Sequence, residues 1–136
     1  MKDIIDLIGR ICIALISLFE AYDSIYYFRQ TKLIMATFHI TWNQDILLSG
    51  AIFLLLLGGI LVLIGYRSSF GAILLLLYWI PVTFIAHSFW NDPVELRRLE
   101  SIQFMKNIAI IGGMLIVLVN GSGNFSVKRL FATTKV

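Results

Sequence analysis

Apolar side chains gather into four long stretches, separated by short segments that hold most of the charge. The first runs from about Ile4 to Tyr27 and is interrupted by Asp6, Arg10, Ser17, Glu20, Asp23 and Ser24. It begins too early and is too polar for a signal peptide, and no small-residue cleavage site follows an apolar core, so a retained helix is expected. The second, Ile46 to Tyr66, has one polar side chain, Ser49. At 1.5 Å per residue it reaches roughly 31 Å, enough for the hydrocarbon core of a bilayer. The third, about Phe70 to Phe89, contains Pro81, which removes a backbone donor and bends the axis. The fourth, about Ile102 to Val119, opens with Gln103, Lys106 and Asn107.

Arg67, Ser68 and Ser69 alone join the second and third stretches, which makes those two antiparallel neighbours. Segments 29–45 and 91–101 then fall together at the opposite end, and the polar tail 120–136 leaves the lipid. The expected architecture is all-α: a single domain over residues 1–136, an up-down-up-down bundle of four membrane-crossing helices at about 4–27, 46–66, 70–89 and 102–119. No repeat of solenoid length occurs.

Composition agrees with this solvent. The chain is 59% hydrophobic and 14% charged, with mean hydropathy +0.88. A soluble domain carries about 25% charged residues, which it needs to cover a small core. A soluble enzyme, a nucleic-acid module and a disordered chain are thereby excluded. The net charge of +3 comes from scattered Lys and Arg, a pattern of membrane anchoring rather than of nucleic-acid contact. Lys and Arg divide evenly between the two ends, and Arg10 tilts the expectation toward a cytoplasmic N-terminus and C-terminus. Cys12 is the single cysteine, so no internal disulfide forms.

Helix one carries the most costly groups. Asp6, Arg10, Ser17, Glu20 and Ser24 fall within an arc of about 80° at 100° per residue. A charge in mid-bilayer costs about 2.5–3.5 kcal/mol, so this stripe faces other helices rather than lipid. Asp6 and Arg10 stand i,i+4 and can pair. Glu20 lies about 15 Å from Arg10 along the axis. It requires another partner, such as a Tyr, His87 or Lys106, or else a proton. Asp23 lies just off the stripe.

Rings crowd the same end, among them Tyr22, Tyr26, Tyr27, Trp42, Phe84, Phe89, Trp90 and Phe104. They can form an interfacial belt or the lining of a site for a flat ring ligand. Candidate ligand-binding or proton-accepting residues are Glu20, Asp23, His87, Trp90, Lys106 and Asn107. No catalytic residue stands out, and no nucleophile elbow, phosphate loop or dinucleotide fingerprint is present. His39 and His87 lack metal-ligand spacing, so no metal is expected. Gly58, Gly59, Gly112 and Gly113 are expected to let helices approach closely.

Three stretches carry a family resemblance: Gly9-Arg10-Ile11 with the run to Glu20, the glycine-rich end Gly58-Gly59 through Gly65, and His87-Ser88-Phe89-Trp90 followed by Phe104-Met105-Lys106-Asn107 and Gly112-Gly113. Over about residues 5–126 they resemble the DoxX family of small four-helix membrane proteins. The chain departs from that family in having Asp45 as the nearest acid to the opening of helix two, and Ser126-Val127-Lys128 near the C-terminus. The resemblance implies the four-helix fold and a place in the inner (plasma) membrane. It also implies an accessory or assembly subunit without a cofactor, partnered by lipid and other membrane subunits. The alternative it implies is a quinone-reactive oxidoreductase subunit with a carboxylate, His and Lys headgroup pocket. A small-solute channel is a third class, disfavoured by the lack of an inverted repeat.

Overall fold

The computed structural model describes residues 1–133. Lys135 and its two neighbours at the end of the expected tail lie outside them. The described chain is helical, with no strand. Its elements are α1 (Lys2–Tyr26), α2 (Phe28–Thr37), α3 (Gln44–Ile64), α4 (Ser68–Ala86), a 3-10 turn at Phe89–Asn91, α5 (Val94–Asn120) and α6 (Val127–Thr133).

Helices α1, α3, α4 and α5 pack side by side, α1 against α3, α3 against α4 and α4 against α5, with a lighter contact closing α5 onto α1. The shared core contains Leu55, Val62, Ala72, Leu75, Trp79 and Met114. Outside it, large apolar side chains point away from the protein: Phe53 is 62% exposed, Leu77 59% and Ile116 62%. In water such a surface would drive association, whereas lipid solvates it. Gln44–Ile64, Ser68–Asn91 and Val94–Asn120 are long and apolar enough to cross a membrane. α1 does not reach that standard, because Asp3, Asp6, Arg10, Glu20 and Asp23 interrupt it. The fourth expected crossing therefore differs in kind from the other three.

α1 is built to sit close to its neighbours. Its buried residues are Arg10, Ala14, Ser17, Ala21 and Ser24, spaced alternately four and three apart, which keeps small side chains on one face. A Cβ at Gly59 would come within 3.0 Å of Leu18, so α1 and α3 meet through that glycine. α3 and α4 meet more tightly still. A Cβ at Gly58 would stand 2.9 Å from the Gly71 carbonyl oxygen, and one at Gly71 would stand 2.9 Å from that of Gly58. The contact is reciprocal, with backbone against backbone, and only the missing side chains permit it.

At the end holding the start of α1, Arg10 works as a tie. It is 1% exposed and pairs with Asp6 at 3.1 Å. It also donates to the carbonyl of Val62 at 3.2 Å and to that of Phe125. Val62 lies in the last turn of α3, whose carbonyls have no partner inside the helix and whose dipole is negative, so a guanidinium suits the place. Gly65 caps α3 with φ 72°, and a Cβ there would press on both Arg10 and Ser126. Asn124 donates to Asp3 at 2.6 Å and the Ser68 amide donates to Ser122 at 3.2 Å, fastening the segment before α6 to the same end.

Two connections expected as loops are largely helical. α2 occupies much of 29–45, and α5 begins at Val94, about two turns before the expected start. In both cases charged residues interrupt the apolar ones, Arg29 and Lys32 in α2 and Glu95, Arg97, Arg98 and Glu100 in α5, so a search for unbroken apolar runs passes over them. α6 likewise places helix within the tail.

Candidate functional site

The opposite end of the molecule holds a cleft of about 290 Å³ between α1, α3 and α4, roofed by α2. α2 contributes Thr31, Ile34 and Met35, and Phe38 follows directly, a spacing that puts all four on one helical face. The roof is latched at its far side. Lys32 Nζ lies 2.6 Å from Asp45 Oδ1, and Gln44 donates to the carbonyls of Lys32 at 3.1 Å and Ile40 at 2.7 Å. α3 supplies Leu47, Leu48 and Ala51, and α4 supplies Tyr78, Val82 and Ile85.

Into this apolar lining project five polar side chains, Glu20, Asp23, Ser24, Tyr78 and His87. The Tyr78 hydroxyl donates to Glu20 Oε1 at 3.0 Å, joining α1 to α4. His87 Nδ1 lies 2.7 Å from Glu100 Oε2, joining the end of α4 to α5. Neither cleft acid forms an ion pair among the described residues, although Glu20 interacts electrostatically with His87 across the cleft. Among the described residues the ion pairs are Arg10–Asp6, Lys32–Asp45 and His87–Glu100. Ser24 is 5% exposed and its hydroxyl has no hydrogen-bond partner among the described residues. The arrangement is an acid pair and an unused hydroxyl at the end of an apolar cleft. It can accept hydrogen bonds and positive charge while burying an aliphatic or aromatic body.

The residues singled out from the sequence separate into three places. Glu20, Asp23 and His87 meet at the cleft. Trp90 does not; it stacks edge-on with Phe89 and Phe104 at 5.3 and 5.8 Å, and Phe84 also meets Phe104 at 5.5 Å. These rings knit the 3-10 turn to α4 and α5, because aromatic edges and faces attract. Lys106 is exposed beside Met105 and Ala109, away from Glu20, as a snorkelling side chain would be. Asn107 is buried in α5 at 7% exposure, outside the cleft lining. A Cβ at Gly113 would meet Ile13 of α1 at 2.8 Å, whereas one at Gly112 meets nothing within 4 Å. Gly112 therefore serves no close approach. No group of three or more His, Cys, Asp or Glu side chains gathers to hold a metal ion among the described residues.

Tyr78, Ser24, Glu100 and the α2 face went unrecognised as site residues. Ser24 was visible on the polar stripe of α1, and the α2 face was visible in its helical spacing. Nothing in the sequence linked Glu100 to His87.

The SURF4 family model matches residues 1–131. The chain belongs to the SURF4 family. This corrects the DoxX resemblance, which rested on short strings of residues common in apolar helices, while the SURF4 match extends over nearly the whole chain. The accessory-subunit and quinone-reactive readings came with that resemblance and fall with it. Similar proteins include the Surfeit locus protein 4 homolog of Schizosaccharomyces pombe, 36% identical over 71 residues, 51% of this chain and 24% of that protein. Inner membrane protein YqjF of Escherichia coli is 32% identical over 73 residues, 54% of this chain and 52% of its own length. ER-derived vesicles protein ERV29 of Saccharomyces cerevisiae is 32% identical over 76 residues, 56% of this chain and 24% of its own. The matched stretch thus spans about half or a quarter of these relatives. No solved structure matches the chain.

Proposed function

We propose that this SURF4-family protein is a membrane-embedded binding protein whose roofed cleft captures an amphiphile with an apolar body and an amine head. One observation carries the reading: Glu20 and Asp23 line an otherwise apolar cleft with no basic side chain paired to either of them. Glu20 and Asp23 are half-buried, and a carboxylate partly withdrawn from water without a counter-charge is costly, so a ligand cation supplies what the fold does not. Tyr78 orients Glu20, and His87 is held aside by Glu100. At about 290 Å³ the cleft sits at the lower end of small-molecule sites and suits a compact ligand. Capture and release, rather than turnover, is the chemistry these groups support.

The placement that goes with this function has α1 as a fourth crossing, its charged groups turned inward to Val62, Tyr78 and the cleft. The Arg10 end faces the cytoplasm. Lys2, Arg67, Lys128 and Arg129 gather at that end, and Asp3 and Asp6 there are tied to Asn124 and Arg10. The inner membrane protein of Escherichia coli and the vesicle protein of Saccharomyces cerevisiae support residence in a membrane, and the cell inner membrane is the location we propose.

Binding of n-octylamine against n-octanol to the purified protein tests the function. Trp79 reports on it, since its ring lies 5.6 Å from that of Tyr78. The amine is expected to bind saturably and the alcohol not. Glu20→Gln removes a charge-assisted bond of about 1.5–3 kcal/mol, or about ten- to a hundredfold in Kd. Equal binding of amine and alcohol, or full affinity in Glu20→Gln, overturns the reading.

A further inference from the structure

A groove on the outer face adjoins the cleft. This depression of about 540 Å³ runs between α3 and α4. It shares Leu47, Ala51, Tyr78 and Val82 with the cleft, so the two adjoin across these four side chains. Tyr78 stands at the join: its hydroxyl reaches Glu20 while its ring lines the outer groove. The groove contains no charged side chain and faces lipid. Its floor stays open at Gly50, where a Cβ would meet nothing within 4 Å. From Ile46 to Leu54 it follows α3 for about 12 Å into the bilayer.

We propose that the ligand is a single-chain membrane amine that enters sideways from the bilayer between α3 and α4. Its chain lies in the groove past Gly50, and its head turns in at Tyr78 to Glu20, Asp23 and Ser24. This rests on the reading of the cleft as an amine site and adds the ligand's length and its route. Charge complementarity fixes the head, because two acids without an ion pair among the described residues await a cation. Ser24 lines the cleft, and its hydroxyl, without a hydrogen-bond partner among the described residues, offers an acceptor for a further ammonium hydrogen. The purely apolar groove fixes the remainder as one aliphatic chain, since a polar body would lose its hydration there without replacement. A ligand arriving from water would instead pass under α2, where Lys32–Asp45 and Gln44 hold the roof closed.

The test uses octadecylamine and octadecanol, each carrying a photoreactive diazirine near the middle of the chain, added to the 136-residue chain in lipid nanodiscs. The amine is expected to cross-link within 46–54 and 77–82, and the alcohol to label the lipid-facing surfaces evenly. Gly50→Phe fills the groove at a position with open space. It is expected to lose the amine's cross-links in those segments. Identical labelling by amine and alcohol overturns the side entrance, as does undiminished labelling in Gly50→Phe. If octylamine still binds in a Glu20-dependent way in those cases, the cleft reading stands and the route alone fails. If octylamine does not bind, the cleft reading fails and this proposal fails with it.

Discussion

Arg10→Met removes the side chain that joins the start of α1, the last turn of α3 and the segment before α6. Three acceptors lose their donor: Asp6 at 3.1 Å, the Val62 carbonyl at 3.2 Å, and the Phe125 carbonyl. A buried acceptor left unpaired costs about 1–3 kcal/mol, and breaking a buried ion pair costs about 3–5 kcal/mol. Asp6 is 25% exposed and recovers some hydration, which places the expected loss toward the lower end, about 3 kcal/mol. Arg10→Lys keeps the charge but lacks the planar fork that reaches three acceptors, so it loses less, about 1–2 kcal/mol. Arg10→Met combined with Asp6→Leu is expected to be more stable than Arg10→Met alone, because no orphaned carboxylate remains. Reversible unfolding in mixed detergent micelles, followed by tryptophan fluorescence, gives these differences. Trypsin adds an independent readout, since release of Phe125 exposes Lys128 and Arg129 to faster cleavage. If Arg10→Met stays within about 0.5 kcal/mol of wild type, as a surface substitution would, and cleavage does not change, the tie has no energetic meaning.

Other consequences follow from the same contacts. Gly58→Leu drives a side chain into the Gly71 carbonyl and is expected to cost about 1–3 kcal/mol or to separate α3 from α4, while Gly112→Leu, facing open space, stays within about 0.5 kcal/mol; parallel unfolding curves decide. Lys106→Met is expected to leave octylamine affinity unchanged, since Lys106 lies outside the cleft lining; a gain of affinity in a titration would place that ammonium beside the acids, in competition with the ligand's.

The sequence read alone located much of this, for reasons of burial and period. Lipid-facing runs need no polar interruption, so α3, α4 and the later part of α5 stood out as unbroken apolar stretches. The polar stripe on α1 was legible because charge inside a membrane is costly enough to require a partner. Even the kind of partner for Glu20 could be named, a tyrosine among the choices, though not that it was Tyr78. What stayed hidden depends on distances across the fold. Lys106 was grouped with Glu20 by sharing an end of the molecule, but the packing of α5 turns it outward. Trp90 was grouped with the site by its chemistry, yet Phe89 and Phe104 were better placed to hold it. The second and third acceptors of Arg10 are backbone carbonyls, which carry no signature in the sequence. α2 is hard to read from the sequence because its cleft face, Thr31, Ile34 and Met35 with Phe38 following, is short and set among Arg29, Gln30 and Lys32. The family was misassigned because a few Gly-Gly and His-x-Phe-Trp strings meet generic needs of close packing and interfacial anchoring.

The central claim is that a ligand amine completes the acid pair at the cleft. Solid-state NMR with ¹⁵N-octylamine and protein carrying ¹³C-labelled glutamate measures it directly. A charge-assisted bond of about 2.8 Å from the amine nitrogen to a carboxylate oxygen gives a strong dipolar contact to the Glu20 side-chain carboxyl carbon, lost in Glu20→Gln. A bound amine showing no contact to Glu20, or the same contact in the variant, would contradict the account.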